Sequence, residues 1–141
     1  MTKPSNRTLA FRSLKDISKK ARNGAYFVKR GAVEWEIFPF PTFPLAISIQ
    51  VSERTVGQEI NKLDCAMEFG APIPGKDEHP GIDDELMDRF DEDYEAIIAA
   101  WRKAADEAGN FVLAFAFGRA EEFHDADYRV QGVTYHFTIS I

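Results

Sequence analysis

The sequence is poor in the residues that build cross-linked or metal-bound domains. It has one cysteine, Cys65, and three histidines among 141 residues. A lone cysteine excludes an internal disulfide framework and is typical of a protein folded in the cytoplasm. Apolar and polar residues alternate around Cys65. We therefore expect an inert core thiol rather than a nucleophile.

Long apolar runs are also missing. The longest, Phe111–Phe117, is far shorter than the ~20 residues that span a bilayer. The N-terminus has no apolar stretch of the kind found in signal peptides. Since a chain of this length can bury about two-thirds of its unfolded surface, we predict one soluble, unexported domain over residues 1–141, without membrane contact.

Catalytic and cofactor motifs are absent from the sequence. It contains no nucleophile elbow, Walker loop, dinucleotide fingerprint or HExxH. Two acidic clusters include a histidine, namely Asp77–His79 with Asp83 and Asp84, and Glu121–Asp127. Neither has EF-hand spacing or the paired His or Cys of zinc sites, so we interpret both as solvated loops. We expect no enzymatic activity, no cofactor and no bound metal.

Charge, in contrast, is abundant and uneven. Residues 1–30 hold nine lysines and arginines against one aspartate, a charge of +8, so residues 31–141 carry −14 of the total of −6. Lys15, Lys19 and Lys20 are interleaved with apolar residues at helical spacing, which favours a solvated amphipathic helix. A basic arm for nucleic acid or for an acidic partner is the alternative.

Periodicity predicts two helices. The first is a basic N-terminal helix within residues 1–24, begun by Ser5 or Thr8 and ended at Asn23-Gly24. The second is a long helix over residues 82–109, whose acidic first turns suit the helix dipole. Its apolar residues recur every three or four positions. The two apolar faces are formed by Ala10, Leu14, Ile17 and Ala21, and by Leu86, Phe90, Tyr94, Ile97 and Trp101.

Strands are predicted between these helices, in residues 25–75. Tyr26–Lys29 and Val33–Ile37 read as a hairpin, and Leu45–Val51 as a third strand. Asn61–Gly70 alternates strictly in polarity, which favours a strand although helix propensity is high. The segment Phe38–Pro44 has three prolines and is predicted to be an extended connector. Its phenylalanines Phe38, Phe40 and Phe43 cover either the domain's own core or a neighbouring subunit.

A hairpin is predicted in residues 111–141. Phe111–Phe117 is apolar on both faces, as a buried strand would be, and Gly118–Tyr128 reads as a long polar loop. The second strand is Arg129–Ile141, and its apolar face should meet the long helix. The predicted fold is thus α+β: a largely antiparallel sheet packed with an N-terminal helix and one long acidic helix, with a C-terminal β-hairpin.

This order of elements resembles the tail terminator, or tail-completion, proteins of long-tailed bacteriophages. The resemblance covers nearly the whole chain and lies in pattern rather than in diagnostic residues. A hairpin over Tyr26–Ile37 and the basic N-terminus depart from it and leave open a related neck or tail-tube protein. The matching segments are Leu14–Arg22, Phe43-Pro44, Leu45–Val51, Leu63–Phe69 with Ala71-Pro72, Asp83–Phe90 and Gly132–Ile139.

The resemblance implies assembly rather than catalysis. Proteins of this kind form a ring, usually of six copies, that caps the tail tube and offers a docking face to head-completion or connector proteins. They are assembled in the host cytoplasm and reside in the virion, and DNA passes through the lumen without specific binding. A ring needs head-to-tail contacts that close by rotation, and the basic residues 1–30 could meet the acidic residues 77–95 across the subunit boundary.

Two other classes of function stay open on the sequence alone. One is an acidic inhibitor, DNA mimic or immunity-like protein that binds a host protein through its scattered carboxylates. The other is a basic-arm nucleic-acid-binding protein. For the ring, the predicted subunit-interface residues are Lys15, Lys19, Lys20, Phe38, Phe40, Phe43, Asp83, Asp84, Asp88, Glu121 and Glu122.

Overall fold

The computed structural model describes residues 4–35, 38, 44–57, 61–75, 81–109 and 111–141. It confirms the α+β class, with two helices packed on a five-stranded sheet. The strand order across the sheet is β1-β2-β3-β5-β4. The elements are α1 (Asn6–Lys20), a 3-10 turn (Ala21–Gly24), β1 (Tyr26–Arg30), β2 (Leu45–Val56), β3 (Asn61–Pro72), α2 (Asp84–Glu107), β4 (Ala114–Asp125) and β5 (Val130–Ser140).

Both helices pack on one face of the sheet and share one core with it. Trp101 of α2 is fully buried, and its indole Nε1 donates a hydrogen bond to the Ala10 carbonyl at 2.9 Å. Tyr94 of α2 stacks on Tyr135 of β5 at 4.0 Å between ring centroids. The predicted contact between the terminal strand and the long helix is thereby confirmed.

The start of α1 follows the predicted capping signal, whereas α1 ends at Lys20, before the predicted Asn23-Gly24. The Ser5 hydroxyl accepts a hydrogen bond from the Thr8 amide, and Asp83 caps α2 through the Leu86 amide. After α1 the chain reverses through three residues with positive φ, Arg22, Asn23 and Gly24. This reversal lets α1 fold back antiparallel to β1. Among the described residues, no helix is both long and apolar enough to cross a membrane.

The strand predicted from alternation at Asn61–Gly70 is confirmed and extends to Pro72. Leu63, Cys65, Met67 and Phe69 all point into the core. Burial raises the pKa of the Cys65 thiol to about 12, so the thiol stays protonated and unreactive at neutral pH.

Cys65 should therefore report on unfolding. We expect a thiol reagent at pH 8 to label the native protein about 100-fold or more slowly than the urea-unfolded chain, because labelling requires an opening of the core. The measurement is the labelling rate by mass spectrometry at increasing urea concentration. Equal rates in both states would contradict the placement of Cys65 in the core.

The predicted hairpin of Tyr26–Lys29 with Val33–Ile37 is wrong. Strand β1 pairs in parallel with β2, in the register Tyr26 with Leu45 through Arg30 with Ile49. Val33–Trp35 is not a strand, and residues 36 and 37 lie outside the described residues. Trp35 instead covers Gly70 on the sheet face opposite the helices. The alternation of apolar and polar residues at Val33–Trp35 reflects this half-buried contact. In the sequence, such alternation is the same as that of a paired strand.

The first half of the C-terminal hairpin also differs from the prediction. Strand β4 runs through most of the predicted polar loop to Asp125, with a bulge between Phe117 and Ala120, and only residues 126–129 form the turn. It lies at the edge of the sheet, so Leu113 and Phe117 are 56% and 60% exposed rather than buried. Polar residues are tolerated in the strand because an edge has wet surfaces on several sides.

Candidate assembly surfaces

The β4 edge presents an apolar surface, which we call the β4 ledge and define as Leu113, Phe115 and Phe117. Phe115 and Phe117 contact α2 on the helix-side face of the sheet, and Leu113 directly precedes the strand. Phe115 packs on Phe137 and Trp101, and the Arg102 guanidinium lies 5.4 Å from the Phe115 ring centroid. Among the described residues, no strand pairs with the outer side of β4. Contiguous exposed apolar side chains on an unpaired edge are typical of an interaction site.

Carboxylates flank the β4 ledge. Asp91 and Glu95 of α2 line a groove of about 340 Å³ together with Phe117. The Asp91 carboxylate accepts a hydrogen bond from the Tyr135 hydroxyl at 2.6 Å, which holds it beside β4. By helical spacing Asp84 and Asp88 extend the same stripe toward the start of α2. We call the β4 ledge with these four carboxylates the acidic edge.

The opposite edge of the sheet is basic. A groove of about 840 Å³ follows β1, and Lys15, Lys19 and Lys29 line it. Its floor is apolar and includes Tyr26 and Val28. We call this surface the basic edge. The two ends of one sheet therefore carry charges of opposite sign, because α1 packs beside β1 while the Asp91 and Glu95 side of α2 packs beside β4.

A second cavity on the basic side, of about 250 Å³, is lined by four cationic side chains, which we call the arginine pocket: Arg7, Arg12, Lys15 and Arg30. The Arg30 guanidinium lies 4.3 Å from the Phe11 ring centroid and donates a hydrogen bond to the Ile49 carbonyl. Burial lowers the pKa of Arg30, and neighbouring Arg7 lowers it further. No carboxylate of the described residues lies within 4.0 Å of these cations.

An ion pair joins the turn after α1 to α2. Arg22 donates two hydrogen bonds to the Asp93 carboxylate, both at 2.8 Å, and the Tyr26 hydroxyl donates a third. The Asp93 side chain is 9% exposed and that of Arg22 is 35% exposed. Burial, followed by the bond to Asp93, raises the pKa of Tyr26. The contact of basic and acidic segments predicted between subunits is thus made once inside the subunit.

The structure places the predicted lysine residues and the acidic residues of α2 in several separate locations. Lys15 and Lys19 lie on the basic edge, whereas Lys20 lines a groove between α1 and α2. Asp83 serves as the N-cap of α2 and is tied to the sheet through its amide and the Gln131 side chain. Asp84 and Asp88 are exposed on α2.

Phe38 has an intramolecular role in the structure. It is half-buried, and its ring lies 5.4 Å from that of Phe27 and 5.9 Å from that of Trp35, between centroids. This cluster covers the face of the sheet opposite the helices. Phe40 and Phe43, predicted at the same interface, lie outside the described residues.

Glu121 and Glu122 are exposed on strand β4 rather than on the predicted loop. The Glu121 carboxylate forms an ion pair with Arg119, and its Oε1 lies 3.7 Å from Nε2 of His136 on the neighbouring strand β5. Asp125 closes the hairpin turn by accepting from the Asp127 and Tyr128 amides. Within the described ranges, no three His, Cys, Asp or Glu residues are grouped so as to hold a metal. The other acidic cluster, Asp77–His79, is outside those ranges.

Sequence reasoning missed the arginine pocket and the exposure of the β4 ledge. Arg7, Arg12 and Lys15 lie on α1, but Arg30 lies on β1, so helical spacing does not bring Arg30 to the other three. The β4 ledge did leave a signal, since Phe111–Phe117 has the apolar pattern of a strand covered on both faces. No protein-family model matches the chain, and no curated protein matches it significantly.

Proposed function

We propose that this chain is a non-enzymatic subunit of a closed ring, of the tail-terminator type, that caps a phage tail tube and joins it to the head. The observation that carries the proposal is an apolar strand at an uncovered edge: Leu113 and Phe117 are more than half exposed. A second copy that covered β4 would bury the apolar side chains that the sequence pattern predicts to be buried. It would also pair the unpaired backbone groups of that edge.

Strand directions favour a head-to-tail contact. Strand β1 runs parallel to β2, and each later step across the sheet, to β3, β5 and β4, is antiparallel. Strands β1 and β4 therefore run in opposite directions. A neighbour in the same orientation would place its β4 antiparallel to β1, which continues the sheet and keeps all helices on one side. Such heterologous contacts form rings when the rotation closes.

Charge favours the same arrangement over a two-fold dimer. If two β4 edges met, the carboxylates of both acidic edges would repel, and two β1 edges would bring lysines together. The head-to-tail contact instead places Asp91 and Glu95 next to the lysines of the basic edge. Unlike edges attract and like edges repel, so the charge pattern supports both the contact and its specificity.

The phage assignment depends on the resemblance in element order together with this assembly geometry. The proposed partners are other copies of the chain, in a ring of six, and the tail-tube and head-completion proteins. DNA would pass through the lumen without specific binding, and an acidic lumen would keep the duplex mobile by repulsion. The proposed location is the virion, after assembly in the host cytoplasm.

Replacement of Phe117 by lysine tests the β4 contact. We expect the wild-type chain at micromolar concentration to give a closed oligomer by native mass spectrometry. Phe117→Lys should raise the dissociation constant of this oligomer about 10- to 100-fold, because it places an ammonium group where the contact would bury an apolar ring. Tyr128→Lys is the matched control, since Tyr128 is an exposed aromatic residue in the turn after β4.

Addition of tail tubes tests the biological role. Wild-type rings should bind the open tube end and stop its elongation, as seen by negative-stain microscopy, and Phe117→Lys should do neither. A wild-type chain that stays monomeric at high concentration, both alone and with tail tubes, would contradict the proposal. A monomer that instead captures a DNA-binding protein would support the acidic-inhibitor alternative.

A further inference from the structure

The arginine pocket has no carboxylate of the described residues as a counter-ion. Four cations converge on one small cavity, and Arg7 Nε is buried without a hydrogen-bond partner. An unpaired buried donor costs about 1–3 kcal/mol, and more when it is charged. An anion in the cavity would remove this cost and the mutual repulsion of Arg7 and Arg30.

Resting on the proposed ring, we propose that the arginine pocket is the socket for a carboxylate of the next copy, supplied by Glu95 of its α2. Guanidinium groups bind carboxylates through paired hydrogen bonds, and the three arginines of the pocket provide several such pairs of donors. Glu95 is exposed at the acidic edge and has no hydrogen bond or ion pair to the described residues. It is therefore available to a neighbour.

The arginine pocket and Glu95 occupy matching positions along the strand direction of the sheet. Arg30 is opposite Ile49 in β2, Ile49 is opposite Met67 in β3, and Met67 is opposite Tyr135 in β5. Tyr135 holds Asp91, one helical turn before Glu95. The arginine pocket and these carboxylates therefore lie at about the same level on opposite edges of one sheet. A neighbour that continues the sheet without a large shift brings them together.

The direction of the two charged helices agrees as well. The contacts of Ala10 with Trp101 and of Arg22 with Asp93 show that α1 and α2 are antiparallel. The α2 of a neighbour in the same orientation is then antiparallel to α1. The basic stripe of Arg12, Lys15 and Lys19 then runs alongside the acidic stripe of Asp88, Asp91 and Glu95.

A charge exchange tests the socket. Arg12→Glu and Glu95→Arg, each alone, should raise the dissociation constant of the oligomer about 10- to 100-fold in 150 mM salt, because each places like charges in the contact. The double variant should return to within about threefold of wild type. Lys103→Glu makes the same charge change as Arg12→Glu at an exposed α2 residue that belongs to neither defined edge, and it should leave assembly unchanged.

The outcomes separate this inference from the proposed ring. An oligomer that is disrupted by Phe117→Lys but unchanged by Arg12→Glu would overturn the socket and leave the ring standing. Failure of the double variant to recover would overturn the pairing with Glu95. A wild-type chain that never associates overturns both. If Arg12→Glu abolishes binding of a fluorescent DNA duplex without changing assembly, the pocket binds nucleic-acid phosphate and the socket is wrong.

Discussion

Gly132→Ala is expected to prevent the native sheet from forming under mild conditions. Gly132 lies near the start of β5, between two paired strands, opposite Gly70 of β3 and Phe123 of β4. A Cβ atom there would clash with the Phe69 carbonyl oxygen and would lie 2.7 Å from the Phe123 ring. The carbonyl belongs to the backbone of a paired strand and does not move without breaking the ladder. We expect a loss of about 4 kcal/mol or more in the free energy of unfolding.

Urea denaturation followed by circular dichroism measures this loss, and Cys65 labelling gives an independent reading. Gly81→Ala is the matched control, because no atom lies within 4 Å of a Cβ built there and its φ is not positive. That variant should change the free energy of unfolding by less than about 1 kcal/mol. Equal stability of Gly132→Ala and Gly81→Ala would contradict the packing of Phe123 on β5.

Asp93→Ala is expected to lower the free energy of unfolding by about 3 kcal/mol. The change leaves the Tyr26 hydroxyl buried without its partner and frees the Arg22 guanidinium. Breaking a buried pair costs more than the pair contributes, because a desolvated polar group remains behind. The expected loss is below the full range for buried pairs, since Arg22 is one-third exposed and partly screened by solvent.

Asp106→Ala is the control for this experiment, because Asp106 is an exposed aspartate of the same helix. Its free energy of unfolding should stay within about 0.5 kcal/mol of wild type. Arg22→Ala should cost less than Asp93→Ala, since it leaves Tyr26 bonded to the carboxylate. The reverse order would show that Arg22, rather than the Tyr26 bond, carries most of the stability of this cluster.

The elements with their own periodic signal were predicted well. Alternation identified β3 and β5, the spacing of apolar residues identified α2, and Ser5 identified the start of α1. These signals are local: each follows from how one strand or helix divides its side chains between core and solvent. The same rule predicted that Cys65 is an inert core thiol, since the alternation of polar and apolar residues places its side chain in the core.

The errors occurred where partners are distant in sequence. Nothing near Tyr26 indicates that its strand pairs in parallel with Leu45 rather than with the chain that follows at once. Glu121 and Glu122 were assigned to a loop, although strand β5 holds their backbone extended at the edge of the sheet. The low strand propensity of individual residues has little effect when a neighbouring strand supplies a ladder of backbone hydrogen bonds.

The sequence by itself determined the α+β class, the opposite charges of residues 1–30 and residues 31–141, and the apolar character of Phe111–Phe117. Only the tertiary structure decided that the charges lie on opposite edges of one sheet and that Phe117 is left exposed at one of them. It also brought Arg7, Arg12 and Arg30 around one cavity. The reason is physical: periodicity fixes which face of an element is apolar, whereas sheet order and strand direction depend on contacts between segments remote in the chain.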